Sequence, residues 1–331
     1  MHIDKLKYSF NCSMFMERKI MKMGPSSLVI SLPSEFVKKY NLKKGNDLNV
    51  IDAGDALVLR TDKETSLGAC DISISKFNPI IMRVLGILYK VGYDEIGINY
   101  DAEEKVFNNE KYSELDLIQK CADVYPGVDI ISLKKEKIIL KENSKIIPSE
   151  FKNSLNQAFF NLTQLASEVL RSLKNSTFNS GKEIELMEKL LNQNTNFCLR
   201  MISKKTYSDF SKTPNLYFII VNLEQIGDLF NSVYKVAVNS KIKLNKGFLE
   251  LIDELLSLVL LFQSAYQKFE VEKVIDFAKK SLKLNKNLIN IGIKGKIEER
   301  EILLMISNIN ARLYDLIEPF LAINHEKIIT S

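Results

Sequence analysis

Arg18-Lys-Ile-Met-Lys-Met-Gly-Pro-Ser-Ser-Leu-Val-Ile-Ser-Leu-Pro-Ser-Glu-Phe-Val37 is the stretch on which the reading of this chain turns. Apolar residues recur on either side of Gly24-Pro25-Ser26-Ser27, the pattern of two short strands about a turn. Pro33 and Ser34 then precede Phe36 and Val37. A proline and a capping-type serine ahead of apolar residues suit one or two helical turns, ending near Tyr40. Farther on, Leu48-Asn-Val-Ile51 and Ala56-Leu-Val-Leu59 flank Asp52-Ala-Gly-Asp55, which signals a hairpin. A unit of about 45 residues buries little on its own, so pairing with a second copy through its strands is expected. From Arg18 to Lys44 seven Lys or Arg face one acid, Glu35. The net charge of the chain is only +5, so this positive field is local.

Outward from that stretch, residues 1–16 carry no clear pattern and are expected to form a flexible arm, with Met14 and Met16 as alternative starts. They lack the apolar core and small-residue cleavage site of a secretory signal. The longest apolar run, Leu255 to Phe262, is interrupted by Ser257 and falls far short of the ~20 residues a membrane span needs. A cytoplasmic location is expected. Cys12, Cys70, Cys121 and Cys198 form no CxxC pair and are expected to stay free. With His2 and His325 as the only histidines, His-centred catalysis has almost no material. No P-loop, nucleophile elbow or Gly-rich dinucleotide loop is present either, and no enzymatic activity is expected.

Residues 70–145 mix periods. Residues 71–75 alternate like a strand. Asn78-Pro79 then opens a helix with Ile81, Val84, Leu85 and Leu88 on one face, ending at Gly92. Residues 95–100 alternate again, a helix spans 114–124 up to Pro126-Gly127, and 128–133 and 137–140 read as strands. The expectation is a small α+β subdomain of the βαβ kind.

From Pro148 helical spacing takes over. Six helices are read over 149–174, 181–204, 211–239, 246–268, 271–290 and 297–323, with breaks at Gly181, Pro214, Gly247 and Gly292 to Gly295. Long amphipathic helices joined by short loops make a bundle, here two successive triplets that hint at an internal repeat, at 148–324.

Two resemblances can now be stated. The order Gly-x-Ser-Ser, Leu-Pro-x-Glu-Phe and Leu42-Lys-Lys-Gly-Asn-Asp resembles the AbrB/SpoVT domain, here over 17–66. That resemblance implies two copies interlacing their hairpins into one DNA-binding β barrel. Its cationic positions fall on Arg18, Lys19 and Lys22, with Ser26 and Ser27 at the turn, where long cations reach phosphates and base edges. The competing reading of these charges is an ordinary solvated strand face.

The second resemblance is carried by Asn222-Leu-Glu-Gln-Ile-Gly-Asp-Leu-Phe-Asn231, which is similar to the Asn-Leu-Glu-Arg-Ile-Gly-Asp signature of the PhoU family. Combined with the basic domain, the chain resembles PhoU-type phosphate regulators of archaeal kind. The resemblance implies a metal site: Glu224 and Asp228, four apart on one helix face, can share a divalent or ferric ion. In the second repeat Asn310-Ala-Arg-Leu-Tyr-Asp315 keeps only Asp315, and the stretch from Glu188 to Asn196 holds a single carboxylate among amides. The implied site is therefore degenerate or absent, and the preferred reading of the same pair is a solvated or salt-bridged couple inside the bundle. The expected function is a homodimeric transcriptional regulator of phosphate uptake that binds double-stranded DNA, with the bundle as sensor and a phosphate transporter or sensor protein as a partner. The alternative is a dimeric adaptor that does not bind DNA and acts on such a partner through its bundle.

Overall fold

The structure is a computed structural model that describes residues 17–52, 56–61, 67–107, 110–143, 149–204, 209–240, 246–292 and 297–329. The flexible arm expected at 1–16 lies outside the described residues. The chain divides into two compact units, Met1–Glu64 and Thr65–Ser331.

In the first unit, β1 (Met21–Met23) and β2 (Ser27–Val29) form an antiparallel hairpin with Met21 opposite Val29 and Lys22 opposite Leu28. Gly24, at φ +76°, begins the turn, in a region open to Gly and costly to other residues. Helix α1 (Ser34–Lys39) follows Pro33, as the sequence led one to expect. A second hairpin pairs β3 (Asn49–Asp52) with β4 (Leu57–Arg60). The two hairpins are separate two-stranded sheets, so the expected barrel is not closed among the described residues. Strands of three or four residues in isolated pairs are too short and too few to wrap around on themselves. None of the described residues from 17 to 61 is buried.

The second unit begins with an α+β part. Its four-stranded sheet has the order β5 (Ala69–Ser73), β6 (Glu95–Asn99), β10 (Lys137–Glu142), β9 (Val128–Lys134). Strands β5 and β6 are parallel and joined by α2 (Ile81–Val91), the βαβ unit read from the sequence. Gly92 ends α2 in the left-handed region at φ +104°, and β9 and β10 close the sheet as a hairpin. Helix α3 (Glu114–Asp123) is capped by Ser113, whose hydroxyl accepts the Asp116 N–H. One face of the sheet supplies Ile96, Ile98, Ile138 and Leu140 to a core closed by Ile81, Leu85, Tyr89 and Ile118 from the two helices. The small hairpin β7 (Lys105–Phe107) and β8 (Glu110–Tyr112) has no counterpart in the sequence reading. Its strands are too short and too charged to show alternation.

The helical part contains α4 (Glu150–Asn175), α5 (Gly181–Ser203), α6 (Thr213–Ser240), α7 (Lys246–Gln267), α8 (Val271–Gly292) and α9 (Ile297–Asp315). Helices α4, α5 and α6 pack on one another, and so do α7, α8 and α9; α4 against α7 and α6 against α9 join the two triplets. One continuous core runs through both, with Leu162, Leu165, Leu223, Ile226 and Phe230 in the first triplet and Phe248, Leu255, Phe277, Ile306 and Ile309 in the second. The single helix expected over 297–323 is broken. Helix α9 ends at Asp315 and, after Leu316, a separate helix α10 (Ile317–Ile323) begins. Pro319 is the cause: it has no N–H for the carbonyl of Asp315, and its ring clashes with that carbonyl in a straight helix. A last helix, α11 (His325–Ile329), follows. No helix among the described residues is long and apolar enough to cross a membrane.

Candidate functional site

The N-terminal unit places Arg18, Lys19 and Lys22 on and just before β1, and Ser26 and Ser27 at its turn; all five are exposed. Lys19 and Lys22 make no ion pair among the described residues, so their charge is offered to solvent or to a ligand. Several apolar residues of the two hairpins are exposed as well, Leu28 at 70%, Met23 at 68% and Leu57 at 67%, while Val29, Ile51, Val58 and Leu59 are half-buried. Single exposed apolar side chains are ordinary, but a unit in which no described residue is fully buried lacks a closed core of its own.

The acids singled out on the bundle do not all meet. Glu224 and Asp228 lie on α6, where Glu188 of α5 joins them in one electrostatic neighbourhood. Partial desolvation, and then the negative charges of Glu224 and Glu188, push the Asp228 carboxyl up to about 6, against the opposing pull of Lys235 and Arg83. Burial raises Glu188 as well, although Asn192 donates to its carboxylate. The cations answering this patch come from two helices: Lys90 Nζ of α2 stands 3.9 Å from Glu224 Oε2, Arg83 of α2 lies within the field of Asp228, and so does Lys235 of α6.

Asp315 is elsewhere. With Phe218, Tyr314, Ile317, Glu318 and Leu321 it lines an open cleft of about 430 Å³ between α6, α9 and α10. Among the described residues no three His, Cys, Asp or Glu side chains are placed to hold a metal ion. Glu188, Glu224 and Asp228 share a neighbourhood but are not placed as a ligand set, and with Lys90, Lys235 and Arg83 answering them they do not offer the several converging anionic oxygens that a hard cation needs. The residues present thus do not fit the metal that the PhoU resemblance implies.

The motif itself has a structural explanation. Asn222 is buried, donates to the Phe218 carbonyl and accepts from Arg312 of α9, which also donates to Gln225. Leu223 and Ile226 enter the core. At Gly227 a Cβ would stand 2.3 Å from Leu191 Cδ2, so glycine is what lets α5 and α6 approach so closely.

A constellation missed from the sequence lies where α5 meets the α+β part. Arg200, 1% exposed, donates to the carbonyls of Tyr89 (2.5 Å) and Tyr93 (2.9 Å) at the end of α2, and lies 3.2 Å from Glu142 of β10. One turn on, Lys204 bridges Asp94 (2.7 Å) and Glu142 (2.6 Å). Nearby, Gln193 and Asn196 donate to the carbonyls of Asp123 and Val124 at the end of α3. The signal available in the sequence was Arg200 itself, one cation inside the apolar run from Phe197 to Ile202. Arg rarely sits fully buried unless paired.

Of the cysteines expected to be free, Cys70, Cys121 and Cys198 are so, and burial raises all three thiols above their ordinary range. Cys12 lies outside the described residues.

Comparison with known families matches residues 21–66 to one described as "Antidote-toxin recognition MazE, bacterial antitoxin". The match falls on the basic β unit and supports an AbrB/SpoVT-type N-terminal domain of the DNA-binding kind. No curated protein matches the chain, and no solved structure does. At a coarse level the chain is a small β domain followed by a large helical region.

Proposed function

We propose that the chain is a homodimeric, DNA-binding transcriptional regulator whose N-terminal units pair to complete one β body, with the helical part as its sensor. The observation that carries this is the coincidence, on and just before one short hairpin, of the exposed cations Lys19 and Lys22 with the exposed apolar side chains of Met21, Met23 and Leu28. Pairing of two copies would cover the apolar strands and set two cationic patches side by side on one surface, the form in which binding to phosphates gives affinity. The family match over 21–66 supports the same reading. The finer assignment, that the signal is phosphate supply and the bundle is PhoU-like, is supported by the Asn222-Leu-Glu-Gln-Ile-Gly-Asp228 motif and the two packed helix triplets. We assign no catalytic step.

A second reading is favoured by the description of the matched family, which names recognition of a partner protein. The chain would then be a dimeric adaptor acting on a transporter or signalling partner. Sedimentation and fluorescence anisotropy with a random-sequence duplex at low salt test the first reading. A dimer that binds duplex with steep salt dependence is expected; a monomer indifferent to duplex at every ionic strength overturns it. Genome-wide mapping of bound DNA with and without phosphate starvation tests the signal.

A further inference from the structure

The two helix triplets are not covered alike. On α5, Ile184, Leu191 and Cys198 point into the core at intervals of seven residues, and on α8 Val274, Ser281 and Leu288 do the same. Laid over one another in that register, Lys189, Asn192 and Asn196 of α5 correspond to Lys279, Leu282 and Lys286 of α8. The α5 positions are occupied by the ends of helices: Lys189 stands 3.7 Å from Asp123, Asn196 donates to the Val124 carbonyl, and α2 packs along the same helix. Among the described residues nothing pairs with the α8 positions. There Ile275, Leu282 and Ile289 are 48%, 51% and 61% exposed, seven residues apart in a single file, with Lys279 and Lys286 interleaved. Neither lysine is engaged in an ion pair among the described residues.

We infer that this face of α8 docks an acidic amphipathic helix of another protein. Three features select that occupant. A fixed interval of seven is the repeat of helix-on-helix packing. The equivalent face of α5 is covered by helices whose acids and terminal carbonyls meet its cations. The two unpaired lysines ask for carboxylates at facing positions. A second copy of α8 is disfavoured, because two such faces laid antiparallel bring lysine against lysine. A lipid surface is disfavoured as well, because the apolar file is one residue wide and Asp276 lies beside it.

The probe is a capped 21-residue peptide of three heptads with Leu at the two core positions and Glu at the flanking ones, titrated into the full-length chain by fluorescence anisotropy. Binding in the tens of micromolar is expected, weakened at least tenfold by Leu282→Glu and by Ile275→Glu, each with an unchanged CD melt because both sites are exposed. Lys279→Glu with Lys286→Glu should weaken binding of the Glu peptide and restore it for a peptide carrying Lys at the flanking positions. Equal binding of a scrambled peptide, or affinity untouched by Leu282→Glu, overturns the proposal. So does self-association, or binding to phosphatidylglycerol vesicles, that Leu282→Glu abolishes while the peptide fails to bind. None of these readouts involves DNA, so the docking face and the DNA-binding reading stand or fall separately.

Discussion

The guanidinium of Arg200 lies 4.8 Å from the centroid of the Tyr89 ring and, through Nη1, donates to the main-chain carbonyl of that same residue. Tyr89 is in turn stacked on Tyr125, with centroids 4.5 Å apart, and donates its hydroxyl to the Pro126 carbonyl. A bundle side chain thereby finishes the C-terminus of a helix in the α+β part.

Replacing Arg200 by Met leaves Glu142 and two helix-end carbonyls short of a buried donor. A loss of about 3 kcal/mol is expected, the usual cost of breaking a buried charge pair from one side. Arg200→Lys should recover little of it, since a single ammonium cannot serve two carbonyls and a carboxylate with the planar fork of arginine. The chain has no Trp, so denaturant unfolding followed by far-UV CD is the measurement.

Neutralising Arg18, Lys19 and Lys22 together should weaken duplex binding uniformly across sequences. The slope of log affinity against log salt should shrink by about 0.9 for each phosphate that the protein no longer neutralises. An unchanged slope would mean that the cations are a solvated strand face. The exposed positions of all three predict no change in the melting curve.

Asp228 imposes a pH dependence of definite sign. Its folded-state carboxyl, raised to about 6, binds protons more tightly than it does in the unfolded chain. Stability therefore falls as pH climbs from the ordinary aspartate range to about 6, and levels off above it. Asp228→Asn should make the protein more stable than the parent at pH 7 to 8, by at most about 1 kcal/mol because water reaches this exposed side chain and screens it. The difference should vanish below about pH 4; thermal melts at the two extremes decide it.

Gly227→Ala should cost about 1–3 kcal/mol by overpacking where α5 crosses α6. Trimming the opposing side chain in the double variant Gly227→Ala with Leu191→Ala should return part of that loss, a non-additivity expected only for residues that touch.

Much of the fold was legible because its elements are long or well punctuated. The helices beginning near 150, 181, 213, 246, 271 and 297 each run several turns with one apolar stripe, and Gly92 and Pro126 bracket the α+β elements. What was not legible depended on distance in the chain. Pro319 stood in plain view, but the strength of the surrounding helical pattern hid the break it makes. The Lys105–Phe107 hairpin is set by pairing rather than by period. The acidic cluster was half visible: Glu224 and Asp228 announce themselves by spacing, whereas Glu188 joins them through the α5–α6 crossing that Gly227 permits. Asp315 drops away from it because α9 presents it to a different cleft. Arg200 and Lys204 were hidden for the same reason, their partners Tyr89, Asp94 and Glu142 lying 58 to 111 residues away.

An N-terminal unit without a buried interior has a consequence for dosage. If its folding requires a second chain, each tenfold fall in abundance removes about 1.4 kcal/mol from the apparent stability of the paired form. The helical body, whose interior is complete, loses nothing on dilution. Under the proposed function, a cell holding few copies would then carry folded helical bodies without a paired N-terminal unit, and regulation would switch on only above a threshold of expression.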